Sequence, residues 1–90
     1  MSYEVAFTSA LFQLPGKGGW TFATVPEEHA PTTTEAWGRK SVVAMVDGRE
    51  WKTSVWRERS GRTLLPVPKA IRGSKGHGDI VSVRLRYASL

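Results

Sequence analysis

Ile80-Val81-Ser82-Val83-Arg84-Leu85-Arg86-Tyr87 decides the fold. Val81, Val83, Leu85 and Tyr87 alternate with Ser82, Arg84 and Arg86, the period-two pattern of a strand with one face in a core and the other in water. A helix would need apolar residues three and four apart, and no segment of useful length offers them. Upstream the extended character recurs. Ser41 to Val46 is mostly apolar, Asp47-Gly48 follows at once, and Glu50 to Arg57 returns. Asp-Gly between two such runs signals a hairpin, because both turn residues take positive φ. Tyr3 to Phe12 is rich in strand formers, with Tyr3, Val5 and Phe7 on one face, and it stops at Pro15-Gly16-Lys17-Gly18-Gly19, a cluster that breaks regular structure. Trp20 to Val25 and Thr63 to Val67 are further extended runs. Between them, the polar stretch Glu27 to Trp37 contains Pro31 and allows a short helical turn at most. Arg59-Ser60-Gly61-Arg62 reads as a loose turn, Pro68 to Arg72 as one helical turn with Pro68 at its first position, and Gly73 to Asp79 as a Gly-rich turn. About six short strands, with a turn signal near every tenth residue, make a mostly β barrel or sandwich with one or two short helical turns.

Ninety residues form one small domain, expected to span 1–90. Hydrophobic residues are 40% and charged residues 23% of the chain, which sets aside disordered and collagen-like classes. No apolar run approaches the roughly 18 residues a membrane helix needs, and Met1 to Ala10 lacks the pattern of a secretory signal. The chain contains no cysteine, so disulfide scaffolds, zinc–cysteine sites, iron–sulfur clusters and thiol catalysis are excluded together. A cytoplasmic monomer without membrane association is the expectation.

Thr21-Phe22-Ala23-Thr24-Val25-Pro26 and Thr63-Leu64-Leu65-Pro66-Val67-Pro68 share a T-x-x-x-V-P frame. Each precedes an irregular segment, then a glycine and a valine-rich run: Gly38-Arg39-Lys40-Ser41-Val42-Val43 in one half, Gly78-Asp79-Ile80-Val81-Ser82-Val83 in the other. Such a repeat implies two similar β-units about a pseudo-two-fold axis, closing one barrel within one chain.

Val67-Pro68-Lys69-Ala70-Ile71-Arg72, followed by Gly78-Asp79-Ile80-Val81, resembles the V-P-K-x-x-R…G-D-x-V signature of swapped-hairpin transcription factors of the AbrB and MazE type. The whole order, with Gly19-Trp20-Thr21-Phe22, Val25-Pro26 and the Val42-to-Gly48 hairpin, looks more specifically like the bacterial family called domain of unknown function 1905. This resemblance covers roughly residues 3–88. It implies a small double-split pseudo-barrel, built within one chain where AbrB-type proteins need a dimer. It implies no activity.

Charge supplies the first clue to partners. Residues 46–90 hold ten of the 13 Lys and Arg against four acidic residues, whereas residues 1–45 hold three against four. A basic half suits nucleic acid, an acidic partner or a small anion. The candidate binding surface comprises Trp51, Trp56, Arg57, Arg59, Arg62, Lys69, Arg72, Lys75 and His77, since Arg and Lys hold phosphates and an exposed Trp stacks on bases or walls a ligand mouth. Trp51 and Trp56 differ by five positions, so a regular strand points them to opposite sides unless a bulge intervenes. Arg84 and Arg86 share the wet face of the last strand.

Catalytic ingredients are sparse. Ser74, His77 and Asp79 are close in sequence, but loop neighbours seldom form a triad, and no catalytic residue is assigned. His29 lies in an unrelated stretch, so no metal site and no cofactor are expected. Gly73-Ser74-Lys75-Gly76-His77-Gly78 fails the spacing of a phosphate loop and leads into a strand, leaving at most a nest of backbone N–H groups. Whether the chain is an enzyme is left open, with His77 the residue to watch. The reading is a non-enzymatic binding module that takes a protein or small anionic ligand through its basic, Trp-containing surface. The alternative is an AbrB-like nucleic-acid-binding regulator.

Overall fold

A computed structural model describes residues 3–15, 19–34 and 38–88; Trp37 and most of the Pro15–Gly19 turn lie outside them. Six strands follow in order: β1 (Val5–Gln13), β2 (Thr21–Val25), β3 (Arg39–Val46), β4 (Arg49–Arg57), β5 (Thr63–Pro66) and β6 (Ile80–Tyr87). A 3-10 turn at Glu27–His29 joins β2 to β3, and a single helical turn, α1 (Lys69–Arg72), joins β5 to β6. The strands pair antiparallel and close into a barrel in the order β1-β2-β5-β4-β3-β6.

Alternation fills the interior as expected. Leu11, Ala23, Val25, Val42, Ala44, Val46, Val55, Leu65, Val67, Val81, Val83 and Leu85 form one buried cluster. The hairpin between β3 and β4 has Asp47 at φ 48° and Gly48 at φ 86°, the doubly positive turn that matches strand twist. One detail differs from expectation: Pro68 is not the first helical residue but precedes the turn, at ψ 161°. The Val67 N–H still donates to the Thr21 carbonyl at 2.9 Å, so extended backbone persists past β5 and the helix begins only at Lys69.

The repeat is present in the ladder registers. β2 and β5 exchange about the Ala23–Leu65 pair, where Phe22 opposite Pro66 is answered by Leu64 opposite Thr24. On the far side of the barrel, β3 and β6 exchange about Met45 and Arg84, with Ala44 opposite Leu85 answered by Val83 opposite Val46. β1 corresponds to β4, because Phe12–Phe22 and Gln13–Thr21 match Trp56–Leu64 and Arg57–Thr63. The equivalence of Val42 with Val81 is one residue out of step with Gly38 and Gly78, since burial on the valine strands fixes register more firmly than a loop glycine does.

Two lateral openings result. β1 has nine residues but pairs with β2 at three positions, and nine-residue β4 pairs with β5 at two. Each long strand therefore parts from its short neighbour, leaving inward side chains only half-buried in the gap: Phe7 and Ser9 in β1, and their counterparts Trp51 and Thr53 in β4. The first gap is filled. Phe7 stacks on His29 with ring centroids 6.0 Å apart, and the Ser9 hydroxyl donates to the Thr24 carbonyl at 3.1 Å. Tyr87 donates its hydroxyl to the His29 carbonyl at 2.7 Å and so fastens the 3-10 turn in place.

Candidate functional site

The second gap stays open. Trp51 and Thr53 of β4 face Pro66, Val67 and Pro68 across it, and Trp20 stands at the rim, enclosing about 400 Å³. Trp51 is half-buried against the core. Trp20 is 58% exposed, yet it is held from behind by stacking on Phe22 at 6.1 Å, and Phe22 in turn lies 5.8 Å from Phe12. Lys69 and Arg72 from α1 supply positive charge to a wall that is otherwise mostly apolar. Arg49 positions that helical turn by donating to the carbonyls of Ala70 and Ile71, both at 3.2 Å. Arg72 is itself anchored, its Nε donating to Val67 O at 3.2 Å and its Nη1 to Lys75 O at 3.3 Å. The Lys69 side chain has no partner among the described residues, and the residue is exposed. The arrangement suits a flat apolar body between two indoles with an anionic group toward Lys69.

Of the nine residues singled out in the sequence, Trp51, Lys69 and Arg72 meet here. The others are dispersed. Trp56 lies on the outer face of the barrel, 40% exposed, while Trp51 faces inward through an unbroken β3–β4 ladder; parity separates the two as expected. Arg57 faces Glu27 at 3.5 Å. Arg62 pairs with Glu58 at 2.8 Å, and its guanidinium lies 4.9 Å from the Phe12 ring centroid. That Arg62 hydrogen bond holds the Glu58 carboxyl below its usual range. Lys75 donates to Asp47 Oδ2 and to the Ile80 carbonyl, each at 2.8 Å. His77 Nδ1 accepts the Gln13 N–H at 3.0 Å and thereby extends the β1–β6 pairing into the loop. Arg59 is exposed, without a partner among the described residues.

Most amides of the Gly-rich loop before β6 are engaged. Gly76 N–H donates to Asp79 Oδ2 and Gly78 N–H to the Leu11 carbonyl, both at 2.8 Å, so the chain itself occupies the nest. Among the described residues, no three metal-ligating side chains come together. Tyr87 has its hydroxyl pushed up to about 12, first by burial and then by the charge of Glu4, which keeps it a neutral donor to His29.

Trp20, Thr53 and the Pro66–Pro68 wall escaped the sequence reading. Thr53 shares Trp51's face by simple alternation, and Trp20 directly precedes the T-x-x-x-V-P frame, so both carried a signal. The gap that joins them depends on how many residues β4 and β5 pair, which no local pattern states.

The protein is an internally pseudo-symmetric closed β-barrel, with one lateral opening filled and the other open. The chain belongs to the family described as domain of unknown function (DUF1905), whose family model matches residues 7–85. Among curated proteins, none matches the sequence. No helix among the described residues is long and apolar enough to cross a membrane.

Proposed function

We propose that this protein is a non-enzymatic binding module, acting as a monomer, that takes a small anionic ligand with a planar apolar body into the gap between β4 and β5. The observation that carries this reading is the inequality of the two gaps. Pseudo-symmetry gives both the same framework, yet His29 fills one by stacking on Phe7, whereas the other encloses about 400 Å³ between Trp51 and Trp20. A gap of that size, mostly apolar with a few convergent cations, has the character of a ligand site.

Titration of tryptophan fluorescence with indole-3-acetate and with its neutral amide tests the reading. The acid binds saturably, Trp20→Ala weakens both probes, and Lys69→Met weakens the acid alone. Absence of saturation by either probe, or indifference to both substitutions, overturns it.

A further inference from the structure

The outer face beside that gap carries a further set of groups. Outward side chains of β6, β3 and β4 line a broad cleft of about 960 Å³. Val43 pairs with Arg86 on one side and Lys52 on the other, so two cations flank an apolar strip across three strands, about 10 Å apart by strand spacing. Four residues along β3, Arg39 pairs with Trp56 and places its guanidinium 5.4 Å from the indole centroid. Arg84 continues the row beside Met45. Lys52, Arg84 and Arg86 have no hydrogen-bonded or ion-paired partner among the described residues. The carboxylates nearby are engaged: Glu50 accepts the Tyr3 hydroxyl, and Glu4 Oε1 accepts the Tyr87 N–H at 2.9 Å. Tyr3, Trp20 and Trp56 wall the cleft.

We infer that this cleft binds single-stranded nucleic acid, its phosphates met by Arg39, Lys52 and Arg86 and its bases stacked on Trp56 and Trp20. Charge complementarity selects a polyanion, and exposed indoles select one whose bases are free to stack. A duplex keeps its bases inside and offers its edges to a helix or ribbon entering a groove; no such element protrudes among the described residues. The cleft adjoins the gap between β4 and β5 and shares Trp20, Thr53 and Pro66 with it, but Lys52, Arg86 and Trp56 line the cleft and not the gap.

The test is fluorescence anisotropy of labelled oligothymidylate of about 12 nucleotides, a length within the range one small barrel covers, titrated at several salt concentrations. Three phosphate contacts on a single strand give a slope of log affinity on log salt of about −2. Replacing both Lys52 and Arg86 by Ala leaves about a third of that slope. Trp56→Ala weakens binding at least about fivefold without changing the slope. Circular dichroism melts of each variant confirm folding, and indole-3-acetate titration of the same variants reads the gap independently. The inference is overturned if the oligonucleotide fails to bind at low salt or the Lys52 and Arg86 substitutions leave its binding unchanged. It is equally overturned if a duplex of the same length binds as tightly as the single strand, or if inorganic polyphosphate of equal charge competes as well as oligothymidylate, which would make the face a surface for any polyanion.

Discussion

Asp47 does more than turn the chain. Its Oδ1 accepts the Ser82 N–H and its Oδ2 the Lys75 ammonium, both at 2.8 Å, while its own N–H donates to the Ser82 carbonyl at 2.9 Å. One carboxylate thus joins the β3–β4 hairpin to β6 and to the loop that enters it. The Lys75 hydrogen bond, then the Ser82 N–H, hold this carboxyl below its ordinary value of 3.8. A carboxylate depressed in the folded state stabilises above the unfolded value, and its contribution is lost as pH falls through the folded one. Lys75→Met therefore lowers stability at pH 7, by about 0.5–1 kcal/mol for a pair this exposed. Thermal unfolding of both proteins as a function of pH should show the deficit constant from neutrality to about pH 5 and narrowing below 3.8. What remains in acid is the loss of the Lys75 bond to Ile80. A deficit that does not change with pH would mean that the bond to the Ile80 carbonyl accounts for all of it.

At the scale of the element, β6 is the strand most fully determined by its own residues. It lies between β1 and β3 and is paired along nearly its whole length, so alternation alone assigns its two faces. Val83 is 0% exposed and Arg84 points to solvent. Val83→Asp places an unpaired carboxylate in the core, at a cost of several kcal/mol against a total stability of about 5–13 kcal/mol for this length. Arg84→Glu stays within about 0.5 kcal/mol. Urea denaturation of the pair checks the facing, and equal destabilisation of the two would reverse it. The same parity argument separated Trp51 from Trp56, because β4 carries no bulge. It worked less well for the basic side chains. The Arg62–Glu58 pair was within reach of local spacing, but the partners of Arg57 and Lys75 are distant in sequence, Glu27 and Asp47. The sequence reading saw a basic surface where the fold spends several cations on holding loops.

For the whole molecule, strand number, hairpin and repeat were legible because each leaves a local pattern: period two, Asp-Gly, and two T-x-x-x-V-P frames. Strand order was not. β2 meets β5 and β3 meets β6 through long-range pairings, and it is this closure that opens the gaps where candidate chemistry sits. The unequal filling of those gaps has a thermodynamic consequence. Ser9 in the filled gap donates a hydrogen bond to Thr24, while its counterpart Thr53 borders the open one. Thr53→Ile puts a β-branched apolar side chain on a strand position facing that space. Each methylene or methyl removed from water contributes about 0.8 kcal/mol, so stability rises by roughly 1 kcal/mol, which for a domain of this size is about 4–8 °C in melting temperature. The same substitution narrows the gap and reduces indole-3-acetate binding, an exchange of function for stability of the kind sites commonly show. A melting temperature that falls would show instead that Thr53 is already in close contact with its surroundings and that the gap lacks room for a ligand.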